Sequence, residues 1–217
     1  KRLGSHIFQI YKNYDLISMV NWSHFNNMTS IWKKIINYLN QNQDKFNNKE
    51  QTLFIDLADT SSRSIKDIKE MLKTLSDFRD YYRVIIGLNE NEVRDLGKKM
   101  MTNNFKDITN IGKYLVNSGF VDEVVIHPVA EAYLVKKSNK VKVRVPKVEA
   151  PVLTVGGGDN FNAGFIWGIL NNLTDQESLV LGTVNARLFV EKRSSPSIDD
   201  LYNYISKNKD SIEVINI

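Results

Sequence analysis

Thr52-Leu53-Phe54-Ile55-Asp56-Leu57-Ala58 is a short apolar run, rich in the residue types that fit a pleated, buried strand. From Ser64 to Phe78 the pattern changes: Ile65, Ile68, Met71, Leu72 and Leu75 recur at the spacing of one helix face. Arg83-Val84-Ile85-Ile86-Gly87-Leu88 is apolar without a break again. The three segments read as strand, helix, strand. A helix between two buried strands is the crossover that parallel strands need, and it is right-handed almost without exception.

The same alternation runs outward from this unit. Asp15 to Val20 reads as a strand, followed by a helix over Asn27 to Asn42 that places Met28, Ile31, Trp32, Ile35, Ile36 and Leu39 on one side. Glu90 to Met101 and Phe105 to Ser118 read as helices, the second stopped by Gly119, and Val121 to His127 as a strand. Then the period shortens. Ala130 to Lys136 and Lys140 to Val145 flank Lys137-Ser138-Asn139 as a β-hairpin. Pro146 and Pro151 bracket a connector. Helices follow over Asn160 to Leu170, Gln176 to Val190 and Ser197 to Ser206, and Glu213 to Ile217 reads as a last strand. There is no internal repeat and no long linker, so the expectation is one α/β domain over residues 1–217 with a mostly parallel sheet. In such sheets ligands bind past the carboxyl ends of the strands, which makes the residues there the candidates for chemistry.

Composition narrows the classes. A chain of 217 residues with 42% hydrophobic content can bury a core and is too apolar for disorder. No apolar run approaches the roughly 18 residues of a membrane-spanning helix, so a soluble protein without a membrane partner is expected. The absence of cysteine removes disulfides, thiolate nucleophiles and cysteine-held zinc, and suits a reducing, cytoplasmic location. The net charge of +4 is small and its basic residues are scattered, which argues against a nucleic-acid partner. The 24 Asn residues, with clusters at Asn47-Asn48 and Asn103-Asn104, alternate with periodic apolar segments and read as polar surface. His6 and His24 show no metal-ligand spacing. Trp22 and Trp32 lie beside apolar runs and read as core. Lys136, Lys137, Lys140, Lys142 and Arg144 on the hairpin read as a solvated basic face.

The segment Thr154-Val155-Gly156-Gly157-Gly158-Asp159-Asn160-Phe161-Asn162-Ala163-Gly164-Phe165 carries the strongest chemical signal. Three glycines before an apolar helix let the backbone approach a ligand closely. Free amides and the helix dipole there suit a phosphate. Asp159 is either the helix N-cap or a base held beside that anion site. Ala163, Gly164 and Gly168 recur at helical spacing and predict close packing of this helix under the sheet. The Gly-Lys-Ser/Thr end of a Walker A loop is absent, and so is the dinucleotide fingerprint.

Gly156 to Phe165 resembles the signature of the ribokinase/PfkB carbohydrate kinase family, in which Gly-Ala-Gly-Asp is followed by a short residue, Phe and further small residues. The resemblance implies that Asp159 takes a proton from the substrate hydroxyl. It implies that the amides of Gly156, Gly157 and Gly158 form the anion hole for the transferring phosphoryl group. Leu88-Asn89-Glu90-Asn91-Glu92 resembles the family's Asn-x-x-Glu motif; it implies a role for Asn89 at the nucleotide and for Glu92 at Mg²⁺, acting through water. Read without the resemblance, the same residues are a helix N-cap with an acidic first turn. His127 ends a strand at the ligand edge of the sheet and is either a contact to a nucleotide phosphate or a structural turn residue before Pro128; Asn185 is taken as a further nucleotide-binding position. The resemblance also implies a tail over Arg187 to Ile198 that closes on the adenine.

Taken over the whole chain, the resemblance implies a ribokinase-like three-layer α/β/α fold, a mostly parallel sheet with a β-hairpin, and an ATP- and Mg²⁺-dependent kinase acting on a sugar or related small alcohol. The chain matches the family's C-terminal two thirds. From its start at Lys1 it is expected to enter the fold midway, without the N-terminal part and the lid through which members often form homodimers. Two departures stand out. Leu153 replaces the Asp of the family's Asp-Thr, a carboxylate that contributes to the K⁺ site of cation-activated members. Ile126 to Glu131 falls where many members carry Thr-x-Gly-x-x-Gly, and both glycines are gone. These departures keep open a non-catalytic, kinase-like nucleotide-binding protein or scaffold.

Overall fold

The computed structural model describes residues 13–43, 51–101, 105 and 107–217. His6, Asn47, Asn48, Asn103 and Asn104 lie outside them. The chain divides into two compact units, Lys1–Val124 and Val125–Ile217.

The first unit follows the alternation read from the sequence. Strands β1 (Leu16–Met19), β2 (Thr52–Asp56) and β3 (Arg83–Leu88) pair side by side and parallel, with Leu16 opposite Thr52 and Thr52 opposite Arg83. Helix α1 (Met28–Gln41) crosses from β1 to β2 and buries Trp32, Ile35, Ile36 and Leu39. Helix α2 (Ile65–Phe78) crosses from β2 to β3 and buries Ile68, Met71, Leu72, Leu75 and Phe78. Its start is fixed by a capping box in which Ser64 and Asp67 satisfy each other's backbone amides. Trp22 and Trp32 are core residues, each only 1% exposed. Helices α3 (Glu90–Met101) and α4 (Ile108–Asn117) follow β3, and α4 ends on Gly119 in the left-handed region at φ +72°, as the glycine there predicts. Strand β4 (Glu123–Ile126) is buried at every position.

The second unit opens with the predicted hairpin. Strands β5 (Glu131–Val135) and β6 (Lys140–Arg144) are antiparallel, with Tyr133 opposite Lys142, and β7 (Glu213–Asn216) pairs antiparallel with β6. The basic side chains of the hairpin do lie on a solvated face, with Lys137 and Arg144 exposed and none of the five buried, but three of them are paired. Lys136 pairs with Asp175 at 2.7 Å, Lys142 and Arg144 both pair with Glu131 at 3.1 and 2.8 Å, and Arg144 also reaches Glu213 at 3.4 Å. Glu131 belongs to the hairpin itself, opposite Arg144, whereas Glu213 comes from β7 and Asp175 from a helix later in the chain, which a reading along one hairpin does not see.

Helices α5 (Gly157–Leu170), α6 (Asp175–Lys192) and α7 (Ile198–Lys207) complete the unit. Helix α5 begins three residues earlier than its propensity allows, because Asn160 N already donates to Gly156 O at 3.0 Å and closes the first turn over the glycines. Its small residues do face a close neighbour, but that neighbour is α6 and not the sheet. A Cβ on Gly164 would lie 2.7 Å from Leu181 O, and one on Gly168 would lie 2.7 Å from Ser178 Oγ. Ala163 takes no part and is exposed.

Candidate active site

The glycine turn sits at the N-terminus of α5. Gly156 is the N-cap, in the left-handed region at φ +92°, where a side chain would be strained. The Gly157 amide donates to Thr154 O at 3.1 Å and closes the turn. Among the described residues the amides of Gly156, Gly158 and Asp159 meet no acceptor, so this helix end presents open donors. Asp159 is the third residue of the helix, not its cap. Its carboxylate is exposed and makes no hydrogen bond or ion pair among the described residues. Of the two readings open in the sequence, the cap is removed by geometry.

The surroundings of this turn are apolar and tightly set. His127, at the end of β4, stacks on Phe161 with ring centroids 4.6 Å apart, and Phe161 stacks on Phe165. Its Cε1 lies 3.4 Å from where a Gly158 Cβ would be, so the imidazole stands beside the turn. Burial pushes the His127 pKa down to about 4, which keeps the ring neutral, and its buried Nε2 has no partner among the described residues. The loop after it lacks the family's glycines yet still turns through the left-handed region, at Ala130 with φ +63°. The backbone cost of such a residue is roughly 1–2 kcal/mol. Asn185, from α6, is buried and donates from Nδ2 to Asn160 O at 2.5 Å, which ties α6 to the first turns of α5.

The expected tail follows α6. Arg193 ends that helix in the left-handed region at φ +60°, and Ser197 caps α7 through a box with Asp200. Arg187 donates from Nε to Tyr204 Oη at 2.5 Å and lies over that ring, while its Nη1 is buried without a partner among the described residues.

In the first unit, Asn89 and Glu92 form a closed pair at the start of α3. Asn89 Nδ2 donates to Glu92 Oε1 at 2.7 Å, Asn89 N to Glu92 Oε2 at 3.0 Å, and Glu92 N to Asn89 Oδ1 at 3.0 Å. This is the helix cap that the spacing allows on its own. Glu92 is nevertheless unusual: it is 4% exposed, and burial, aided by the nearby charges of Asp56 and Asp59, raises its pKa to about 8. Among the described residues no group of three acidic or histidine side chains could hold a metal ion. That excludes an all-protein cage, not the arrangement typical of Mg²⁺, which keeps most of its waters, binds phosphate oxygens and needs one or two carboxylates. Both of its oxygens accept from Asn89, so Glu92 would meet the waters of a bound Mg²⁺ only through their remaining lone pairs.

One part of this end of the unit gave no sequence signal. Lys99 and Arg63 knit together the loops after β1 and β2 through backbone carbonyls. Along the chain, Asp95 and Lys99 look like an ordinary surface i,i+4 pair, and nothing announces that the ammonium reaches a loop more than thirty residues away. Among the described residues no helix is long and apolar enough to cross a membrane.

Several known proteins resemble this chain. The chain is 30% identical over 156 residues to a ketohexokinase of Haloferax volcanii, a match covering 72% of this chain and 41% of that protein. Ribokinase from Thermotoga maritima superposes with a TM-score of 0.68 at 18% identity, over 94% of this chain and 60% of that one. Adenosine kinase from Sinorhizobium meliloti gives a TM-score of 0.67 at 14% identity, over 92% and 56%. An Escherichia coli protein assigned as a ribokinase II, solved with ATP and Mg²⁺, gives 0.67 at 18%, over 92% and 61%. The chain therefore spans less than half the length of the curated relative and about 60% of these structures. The fold is the ribokinase-like α/β fold. The model of the prokaryotic ketohexokinase family matches residues 10–208, and the chain belongs to that family of PfkB-type carbohydrate kinases.

Proposed function

We propose that the protein phosphorylates a sugar hydroxyl from ATP, with a ketohexose as acceptor and Asp159 as the base. The observation that carries this reading is the environment of Asp159: an exposed, unpartnered carboxylate in the first turn of a helix whose open amides face the same end. In this reading the carboxylate takes the hydroxyl proton as the oxygen attacks the γ-phosphorus in line, and ADP leaves. The open amides at Gly156 and Gly158, with Gly157 fixing the turn, meet the charge that develops on the transferring phosphoryl oxygens; such preorganised donors supply most of the catalysis in phosphoryl transfer. His127 offers a neutral imidazole to a nucleotide phosphate, and Asn185 contributes at the nucleotide while holding the first turns of α5. Mg²⁺, when bound, neutralises phosphate charge; Asn89 and Glu92 would orient its waters. The chain acts as one ribokinase-like domain.

The alternative, a kinase-like protein without turnover, draws on Leu153 and on the missing glycines after His127. An open Asp159 speaks against it, since a carboxylate freed from catalysis has no reason to stay uncapped beside an anion site. The test is Mg²⁺-dependent release of ADP from ATP with D-fructose and a panel of other sugars. Asp159→Asn is expected to lower kcat by about a thousandfold or more while the Kd for ATP changes less than about threefold. Near-normal turnover in the variant rejects the base assignment. No sugar-dependent release by the folded wild type favours the non-catalytic reading.

A further inference from the structure

One polar atom beside the glycine turn is left without work in the chain alone. His127 Nε2 is buried and has no partner among the described residues. The imidazole does hydrogen-bond its own backbone, and with Nε2 unpartnered that bond belongs to Nδ1. A backbone carbonyl can only accept, so Nδ1 carries the ring's proton and Nε2 presents a lone pair. Phe161 sets the plane of the ring: the two stack with centroids 4.6 Å apart and planes 20° from parallel. Cε1, the carbon bonded to Nε2, lies 3.4 Å from where a Gly158 Cβ would be. The lone pair therefore stands at the same helix end as the open amides of Gly156, Gly158 and Asp159.

Those amides and the helix dipole favour an anion, but the lone pair opposes one. A phosphate oxygen brings only lone pairs, so Nε2 meets it favourably only after gaining a proton. In the free chain that proton is refused. Burial holds the His127 pKa at about 4, and no neighbouring charge contributes. Phe161 and Gly158 are uncharged, the loop from Pro128 to Ala130 has no titratable group, and α6 meets the turn through Phe189 and Val190. Beyond that loop, Glu131 is held by Tyr133, Lys142 and Arg144. Asp159 is the one titratable group of α5, and its carboxylate is exposed. A phosphate held by the amides supplies the counter-charge that the buried ring lacks. We infer that an entering phosphate draws a proton from solvent onto His127 Nε2, and that the imidazolium then donates to it, coupling anion binding at this turn to proton uptake. The empty site so avoids a buried positive charge, and the filled one gains a charged hydrogen bond. This inference rests on the reading of the turn as a phosphate site and adds to it the charge state in which His127 acts.

Sulfate is the probe, a tetrahedral dianion that stays ionised across the range used, so any proton taken up is the protein's. Imidazole NMR of the wild type follows Cε1–H and both ring nitrogens of His127, assigned by the signals lost in His127→Gln. Without sulfate the ring should stay neutral down to about pH 5, above its midpoint near 4. With sulfate at saturation the midpoint should rise by about one pH unit or more, with Nδ1 protonated throughout. The Kd for sulfate should accordingly weaken by up to about tenfold per pH unit between about pH 5 and the new midpoint. His127→Gln donates without titrating and should lose most of that slope, whereas Asp159→Asn should keep it. If His127→Gln fails to fold, the wild-type ring spectra decide alone. The titration needs neither sugar nor turnover. A raised midpoint in a protein that phosphorylates no sugar rejects the kinase reading and leaves this inference standing. An unmoved midpoint under sulfate, or a proton passing from Nδ1 to Nε2 without uptake, overturns it even in an active enzyme. A slope lost in Asp159→Asn and kept in His127→Gln assigns the uptake to Asp159 and overturns it too.

Discussion

Glu92 and Asp159 are both acids at the third position of a helix, and their surroundings give them opposite work. Glu92 reaches back to the amide of its cap residue, Asn89, and is largely buried. Asp159 follows a glycine cap, reaches back to nothing and stays in water. The spacing Asn-x-x-Glu was legible in the sequence, and so was Gly-Gly-Gly-Asp. That one carboxylate would be consumed by a cap and the other left open was not, because a cap and an open acid share the same spacing. The difference is measurable as stability. Asn89→Ala should cost about 1–2 kcal/mol, the usual value of an N-cap side chain, and more if the buried Glu92 loses its donor without relief. Asp159→Asn should change stability by less than about 0.5 kcal/mol, because no interaction is removed. Urea unfolding of the two variants reads both values; a large loss in Asp159→Asn would mean that the carboxylate has a structural partner after all.

At the scale of elements, the contact between α5 and α6 decides whether the glycine turn is presented correctly. The presence of these helices was legible from periodicity, but the face that α5 turns to α6 was not. Helix α5 is apolar on most sides, from Phe161 and Phe165 to the exposed Trp167 and Leu170, so no polar stripe marks which side is covered. The glycines on the contact show it only in three dimensions. A Cβ on Gly164 would sit 2.7 Å from Leu181 O and 2.9 Å from Asn185 Cβ, and backbone cannot step aside as a side-chain tip can. Gly164→Ala is therefore expected to cost about 1–3 kcal/mol by overpacking. It should also lower turnover, since it shifts the helix that carries the turn and strains the Asn185 bond to Asn160 O. Gly157→Ala is the counterpart within the same helix: its Cβ would meet only Val190 Cγ1 at 3.3 Å, and alanine gains helix propensity of about 1 kcal/mol. Its melting temperature should stay near that of wild type. Thermal melts of the two variants side by side check the assignment, and equal losses would mean that α5 and α6 do not meet through Gly164.

For the molecule as a whole, two buried titratable groups pull stability in opposite directions with pH, and neither was legible as such, because burial is a property of the folded chain. Glu92 has its pKa raised from 4.5 to about 8 by burial. The folded state therefore holds a proton that the unfolded chain loses, and the stability this contributes is complete below pH 4.5 and is lost as the pH rises to 8. His127 has its pKa lowered from 6.5 to about 4, again by burial. There the unfolded chain takes up a proton that the folded state refuses, so stability is complete above pH 6.5 and is lost as the pH falls towards 4. Between pH 4.5 and 6.5 the two slopes have opposite sign and similar size, and they cancel. Between pH 6.5 and 8 Glu92 is the one of these two that acts, and it should lower stability by up to about 1.4 kcal/mol per pH unit. Glu92→Gln removes one arm of this balance. In that variant, measured by denaturant unfolding without divalent cations, the decline between pH 6.5 and 8 should flatten. Between pH 4.5 and 6.5 stability should now rise with pH, because the His127 contribution is no longer opposed. A variant that keeps the wild-type decline above pH 6.5 would assign that decline to a group other than Glu92.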